Sequence, residues 1–406
     1  MSDVSWPVLD PKALHGLAGL VTKTVLPHTE ADEAGLLLNF LATAGNYFGS
    51  GVHAIAEGAP HPARLYVVLV GPTSRSRKGS ATSQNRRIWK VVDETYSQRQ
   101  IVDGLSSGEG LLHALRDPNI QAEDEGVADK RLLVIEEEFA RVLTVASREG
   151  NTLSSVVRQL WDRGEAHTLT RNNPISASGA HLSIIGHITE GELIRKMSES
   201  DLNNGLANRH LYCCVKRSKY LPSGGNLKVD TIEELAKRIR AVAATVKGFE
   251  RPLQLVRTDD ADMLWREMYE NFSDHPGLAG AVTARPEAQT LRLSVVYALL
   301  DAKPEINVDH LEAAKAVWDF CEASALWIFG DMFEDNIENR LLEALRKAGE
   351  TGLTVSEQGD LFNRHVSSAR LDIARTSLQQ RNLIKTIEED TAGRRARRSI
   401  ACEISE

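Results

Sequence analysis

The sequence predicts an α/β fold: a parallel sheet covered by helices, then a helical bundle, then a small unit of three helices and a hairpin. Three observations predict it. Largely apolar runs at residues 65–70, 132–135, 182–188 and 211–215 alternate with segments of helical period, the pattern of strands buried on both faces of a parallel sheet. Between residues 230 and 330 the apolar residues recur at helical spacing, as in IEELAKRIRAVAATV and PEAQTLRLSVVYALL. Beyond residue 333 three helical segments precede LIKTIEEDTAGRRARRSIACEI, two strand-like halves around a turn, which together describe a winged helix. The expected organisation is an N-terminal arm (1–29), a core (30–229), a helical lid domain (230–332) and a winged-helix domain (333–406).

Composition narrows the function classes. A chain of 406 residues supports several cores, and 42% hydrophobic with 26% charged residues is ordinary for a soluble globular protein. No apolar run has membrane-spanning length, and the start MSDVSWPVLDPKAL lacks the basic flank and apolar core of a secretion signal, so a cytoplasmic location is expected. Cys213, Cys214, Cys321 and Cys402 have no CxxC spacing, which argues against a zinc site or a disulfide framework. A net charge of −8 argues against a protein coated in nucleic acid over its whole surface but leaves room for a local basic groove.

Taken in order, the arm has helical pieces around residues 13–21. HTEADEAGLLLNFLATAGNYFG then carries cap candidates Thr29 and Asp32, helical spacing, and closing glycines Gly45 and Gly49. The first strand, LYVVLV, stops at Gly71, and PTSRSRKGS leads into a helix over residues 81–95. A buried strand, a turn holding Gly71, Arg77, Lys78, Gly79 and Ser80, and a helix aiming its positive end at that turn are the parts of a phosphate-binding loop. Lys78 would neutralise the β- and γ-phosphates of ATP, and the Ser80 hydroxyl would bind Mg²⁺. The spelling departs from G-x-x-x-x-G-K-[ST], because the loop is one residue longer and its second glycine follows the lysine.

The second strand ends in Glu136, Glu137 and Glu138. Mg-ATP chemistry needs one carboxylate at the metal, here Glu136, and the next to polarise the attacking water, here Glu137. The third strand ends in His187 and Thr189; His187 is the first candidate for sensing the γ-phosphate. Arg209 stands before the fourth strand, where a protruding guanidinium would reach the γ-phosphate of a neighbouring subunit, with Arg217 and Lys219 as alternatives. In the bundle, Arg285 begins a helix from which it would fold back over the nucleotide, and Arg292 lies two turns further on. The hairpin tip, Arg394, Arg395, Arg397 and Arg398, suits DNA phosphates, although winged helices also serve as protein contacts.

Several phrases together resemble a known family: WPVLD, HGLAGLV, PHTEAD, LVGPTSRSRKGS, GLSSGEGL, VIEEEFARVL, RNNPISASGAHLSIIGHIT, NGLANRHLY and RLSVVYALLD, across most of residues 5–335. They are similar to the domain-of-unknown-function P-loop NTPases of phages, plasmids and other mobile elements, which are often fused to, or encoded beside, primase-polymerase modules. A more distant likeness is to AAA+ helicases of the minichromosome-maintenance type. There an N-R-F-like phrase carries an arginine finger, as Asn208-Arg209-His210 would here, and T-x-R before an R-L pair carries a second sensor, as Thr283-Ala284-Arg285 and Arg292-Leu293 would. The irregular loop, a glutamate at position 136 and the lack of a visible pre-sensor hairpin depart from that pattern.

The resemblance implies an AAA+-like ATPase ring, a homo-hexamer, with Arg209 acting in trans and Arg285 in cis. The expected function is an ATP- and Mg²⁺-dependent DNA helicase or translocase of a mobile-element replication system, with single- or double-stranded DNA and a primase-polymerase as candidate partners. The alternatives are a non-motor initiator or loader that uses ATP as an assembly switch, and a catalytically inert DNA-binding ring.

Overall fold

The apolar runs become strands of one five-stranded sheet. In chain order we label β1 (Tyr66–Val70), β2 (Ile101–Val102), β3 (Arg131–Glu136), β4 (His181–Ile188) and β5 (Leu211–Cys214). Their spatial order is β2-β3-β4-β1-β5, with every neighbouring pair parallel. Strand β1 is buried over its whole length, as its unbroken YVVLV requires. The computed structural model describes residues 5–73, 75–120, 123–168, 174–197, 204–275, 277–329, 334–362, 366, 368–389 and 396–402. The chain divides into two compact units, 1–327 and 328–406.

In the first unit the helices used below are α1 (Gly16–Val25), α2 (Glu33–Phe48), α3 (Lys78–Val92), α4 (Phe139–Ala146), α5 (Leu153–Asp162), α6 (Val229–Lys247) and α7 (Pro286–Leu300). Helix α2 starts where Asp32 accepts the Ala34 N–H (3.0 Å) and stops at Gly49, whose φ of 76° lies in the region glycine favours. It is apolar all round, and only Glu33 and Tyr47 escape burial. Its buried Asn46 donates to the carbonyls of Leu132 and His181, both at 2.9 Å, and accepts from the Tyr96 hydroxyl at 2.8 Å. That amide ties α2 to the starts of β3 and β4, and, being paired at both its oxygen and its nitrogen, it avoids the cost of about 1–3 kcal/mol that an unpaired buried amide would carry.

One apolar core runs from the arm (Ala13, Leu17, Val21) through α2 and the sheet to α6 and α7 (Ile232, Leu235, Leu291). The arm, the core and the bundle expected as separate pieces therefore share one interior. The arm is pinned by Asp301, whose Oδ2 accepts from His15 Nε2 at 2.7 Å and from His310 Nε2 at 3.3 Å. Although these three side chains have metal-ligand chemistry, the Asn307 N–H donates to His310 Nδ1 (3.1 Å), so Nε2 of that ring carries the proton and offers no lone pair to an ion.

The hydrogen bond to Asp301 raises the His15 pKa against the opposing effect of burial. Burial works to raise the Asp301 value, but the bonds from His15 and His310 outweigh it and hold the carboxyl well below its usual range. His15 thus adds stability below its ordinary pKa of 6.5, and this is lost as pH rises through the raised folded value; the Asp301 share is present above 3.8 and lost in acid. We expect His15→Ala to destabilise the chain by about 1 kcal/mol at pH 6 and by less near pH 9, as read by denaturant melts.

The second unit contains helices Glu334–Ala348, Val355–Leu361 and Ser368–Gln380 over a core of Ile337, Leu341, Leu345, Phe362, Leu371 and Leu378. Its antiparallel sheet has the order Leu353–Thr354, Ala396–Ala401, Ile384–Glu389. The first of these strands, two residues long, leaves no periodic signal in the sequence. Of the expected wing tip, Arg394 and Arg395 lie outside the described residues. Arg397 and Arg398 lie on the strand Ala396–Ala401, and Arg398 donates to the Thr351 carbonyl. All four cysteines are free thiols, and among the described residues no helix is long and apolar enough to cross a membrane.

Candidate functional site

The loop after β1 explains its own irregular spelling. A β-carbon on Gly71 would sit 2.3 Å from the Val215 carbonyl and 2.8 Å from Ser76 Cβ, so no larger residue fits. The loop then tightens as Ser76 Oγ donates to the Pro72 carbonyl (2.7 Å). It enters α3 through Arg77, at φ 58°, ψ 30°. That left-handed conformation costs a non-glycine residue about 1 kcal/mol, and Arg77 is held in it by Glu30 (Nε to Oε2, 2.6 Å). Gly79 lies inside the first turn of α3, where a side chain would meet nothing within 4 Å. The turn usually assigned to a glycine before the lysine is therefore made by Arg77.

Lys78 is the first residue of α3. Its ammonium donates to the carbonyls of Gly71 (2.6 Å) and Pro72 (3.3 Å) and to Ser76 Oγ (3.1 Å). Burial pulls its pKa down to about 8, against the pull of Glu192 and Glu138. The free site loses this charge above about pH 8. An anion held by this ammonium would bind up to about tenfold more weakly per pH unit above that, and Lys78→Arg, which keeps its proton, should remove the dependence in a binding titration from neutral to about pH 9.5.

Across a cleft of about 530 Å³ from Lys78, Gly79 and Ser80 stand Glu137, Glu138, His187, Thr189 and Glu192. The strand register makes this encounter: Glu136 pairs with Gly186, so Glu137 comes level with His187, and Val70 pairs with Ile188. The strand that ends in Glu136 is separated from β1 by β4. Glu137 and Glu138 are exposed at the cleft. Glu136 is not among its lining residues. Its buried carboxylate accepts from the Leu105 N–H and from Arg141 Nη2 (3.0 Å), so the acid expected at the metal is already engaged elsewhere.

His187 is buried, with Nε2 2.8 Å from Thr82 Oγ1. The Thr82 hydroxyl donates its one proton to Asn39 Oδ1 (3.0 Å), and Asn39 Nδ2 in turn donates to the Gly35 carbonyl (2.7 Å). Thr82 must therefore accept from His187 Nε2–H, which leaves Nδ1 as a lone pair. Burial first, then Lys78 and Arg86, lower the ring's pKa to about 4, so it is neutral at physiological pH. A neutral ring in this tautomer accepts hydrogen bonds at Nδ1 rather than donating them to phosphate.

A second hollow of about 800 Å³ adjoins the first through Arg77, Gly79 and Ser80 and is walled by Thr29, Glu30, Arg217 and Tyr220. Arg217 stacks over the Tyr220 ring (4.8 Å) and lies 3.5 Å from Glu30.

The remaining expected arginines gather elsewhere. Arg209 is 5% exposed and holds Asp162 through Nε (3.1 Å) and Nη2 (2.7 Å). Arg285 Nε donates to Asn208 Oδ1 (2.9 Å). Buried Arg292 stacks 3.6 Å over the Trp161 ring, and Arg209 and Arg285 lie 5.6 and 5.5 Å from that ring. Arg64, just before β1, donates to the Trp161 carbonyl (2.8 Å). This cluster sits where β1 and β5 begin, whereas the cleft lies where β1, β3 and β4 end. Arg285 thus stands beside Arg209 and not over the cleft of its own chain, because the start of α7 docks on the turn before β5. Helical periodicity identifies α7 but carries no information about which end of the sheet it meets.

Sequence reasoning did not single out Glu30, Thr82, Asn39, Glu192 or Trp161. Glu192 had a visible signal, the T-x-x-E capping box that Thr189 forms with it, and Asn39 had another, an amide inside an otherwise apolar helix. The chain matches no protein-family model and no curated protein sequence.

Proposed function

We propose that the chain is a P-loop ATPase whose nucleotide phosphates occupy the cleft between Lys78 and Glu137. The observation that carries this is one of place: the cleft lies outside the carboxyl ends of parallel strands, where the chain reverses direction across the sheet around β1, and α3 begins there with a lysine. Lys78 would exchange its loop carbonyls for the β- and γ-phosphates. Glu137 would take the proton of the attacking water, and His187 would accept a hydrogen bond from that water at Nδ1. The hard oxygen donors of Ser80, Glu137 and Glu138 suit Mg²⁺, which supplies charge neutralisation of the phosphates; Glu136 would join them only by releasing Leu105 and Arg141. The adjoining hollow beside Tyr220 would take the nucleoside.

Arg209 and Arg285 share a face at the opposite end of the sheet, so both would serve the nucleotide of a neighbouring copy in an AAA+-like hexameric ring. Arg209 must then exchange Asp162 for phosphate. With a winged helix at the C-terminus and Arg394, Arg395, Arg397 and Arg398 toward DNA, the reading is a DNA helicase or translocase of a mobile-element replication system, working beside a primase-polymerase. The initiator or loader reading is favoured by one observation, that the Lys78 ammonium is bonded to its own loop, as in a site that nucleotide must first open.

ATP-dependent strand separation that single-stranded DNA stimulates and Glu137→Gln abolishes would support the motor. DNA binding and ring assembly that persist in Glu137→Gln, with no strand separation by the wild type, would support the initiator. Mixing Arg209→Ala with Lys78→Ala should restore part of the ATPase activity if the finger acts in trans.

A further inference from the structure

A third hollow, a cleft of about 620 Å³, opens at the other end of the sheet, and the nucleotide reading uses none of its residues. Its walls are the end of α2 with Tyr47, the entry to β3, and one face of α6. Five cations line it, Lys130, Arg131, Arg240, Lys247 and Arg251, against two acids, Asp93 and Asp129.

Asp129 is paired with a cation, and Asp93 is bonded to neutral donors and keeps its charge. Asp129 receives Arg131 Nε (2.9 Å) and Nη2 (2.6 Å), and Asp93 receives the Tyr96 N–H (2.9 Å) and the Tyr47 hydroxyl (3.2 Å). Lys130 is held by Asp117 at 2.8 Å. Arg240 donates to the Val91 carbonyl (2.7 Å) and lies 3.7 Å from Glu233. Among the described residues, Lys247 and Arg251 have no carboxylate within ion-pair distance, and both are exposed. The cleft therefore keeps an uncompensated positive charge in a chain whose net charge is −8.

Arg240 and Lys247 are rooted two turns apart on α6, about 10 Å at 1.5 Å per residue, with Ala243 and Ala244 keeping the wall between them low. Cations spread in this way match successive phosphates of a polymer better than a single anion. The Tyr47 ring is already engaged by the Arg131 guanidinium (5.3 Å) and the Tyr96 ring (4.9 Å), so it offers no free platform for a base. The cations line a concave hollow between α2, the entry to β3 and α6, which suits a flexible single strand better than a stiff duplex.

We propose that this cleft binds the phosphodiester backbone of a single-stranded nucleic acid, independent of sequence, through Arg240, Lys247 and Arg251. The proposal does not depend on ATP hydrolysis.

The test is fluorescence anisotropy of the full chain with a labelled oligothymidylate, without nucleotide, over a range of salt concentrations. Each phosphate neutralised on a single strand contributes about 0.7 to the slope of log K against log salt. The triple variant Arg240→Gln/Lys247→Gln/Arg251→Gln is expected to lose about 2 in slope and at least about tenfold in affinity at low salt. Lys247→Gln alone, at an exposed helix end, should lose about 0.7 and guards against a folding artefact in the triple variant. Unchanged affinity and slope in both variants, or a wild-type protein that binds pyrophosphate here but no oligonucleotide, would overturn the proposal.

Discussion

Lys78→Ala is expected to weaken ATP binding by about 10²–10³-fold while leaving the melting temperature unchanged or slightly raised, as measured by calorimetric titration and thermal unfolding. Both halves follow from one geometry. The ammonium is partly buried, is satisfied only by its own loop at Gly71, Pro72 and Ser76, and its pKa falls to about 8 because burial disfavours the charge. A cation kept at a cost in the free protein is retained for something that binds it, so removing it relieves desolvation and removes affinity. A Lys78→Ala variant that melts several degrees lower and still binds ATP would make Lys78 a structural staple of the loop.

The second large effect separates two adjacent carboxylates. Glu137→Gln is expected to lower ATP turnover by about 10²–10⁴-fold with binding retained, since the amide keeps the shape but cannot take a proton. Glu136→Gln is expected to act on the fold instead. Its carboxylate is buried and accepts from the Leu105 N–H and from Arg141, and an amide would turn its NH₂ toward one of those donors. We expect a loss of about 1–3 kcal/mol of stability with a much smaller change in turnover, read by denaturant melts beside phosphate-release rates. The reverse pattern would make Glu136, and not Glu137, the carboxylate that turnover needs.

The strands were legible because each is an apolar run buried on both faces, and β1, β3, β4 and β5 fall where the runs stand. Strand β2, Ile101–Val102, is too short to show a period. The loop after β1 was legible in its parts but not in its geometry. Sequence spacing assigns the turn to a glycine, whereas a left-handed Arg77 makes it, stabilised by Glu30 from far earlier in the chain. His187 was placed correctly at the end of its strand, yet its tautomer depends on Thr82 and Asn39, and no local pattern reveals such contacts. Arg285 shows the limit most clearly: its helix was evident, but which end of the sheet that helix docks on is a tertiary matter, decided by Asn208 and Trp161.

The most direct measurement is the initial rate of phosphate release from ATP with Mg²⁺ by purified wild-type chain, beside Lys78→Ala and with and without single-stranded DNA. Turnover in the wild type that Lys78→Ala abolishes is the predicted result. Turnover unaffected by Lys78→Ala, or a wild-type protein that neither binds nor hydrolyses ATP, would contradict a nucleotide site at the ends of β1, β3 and β4.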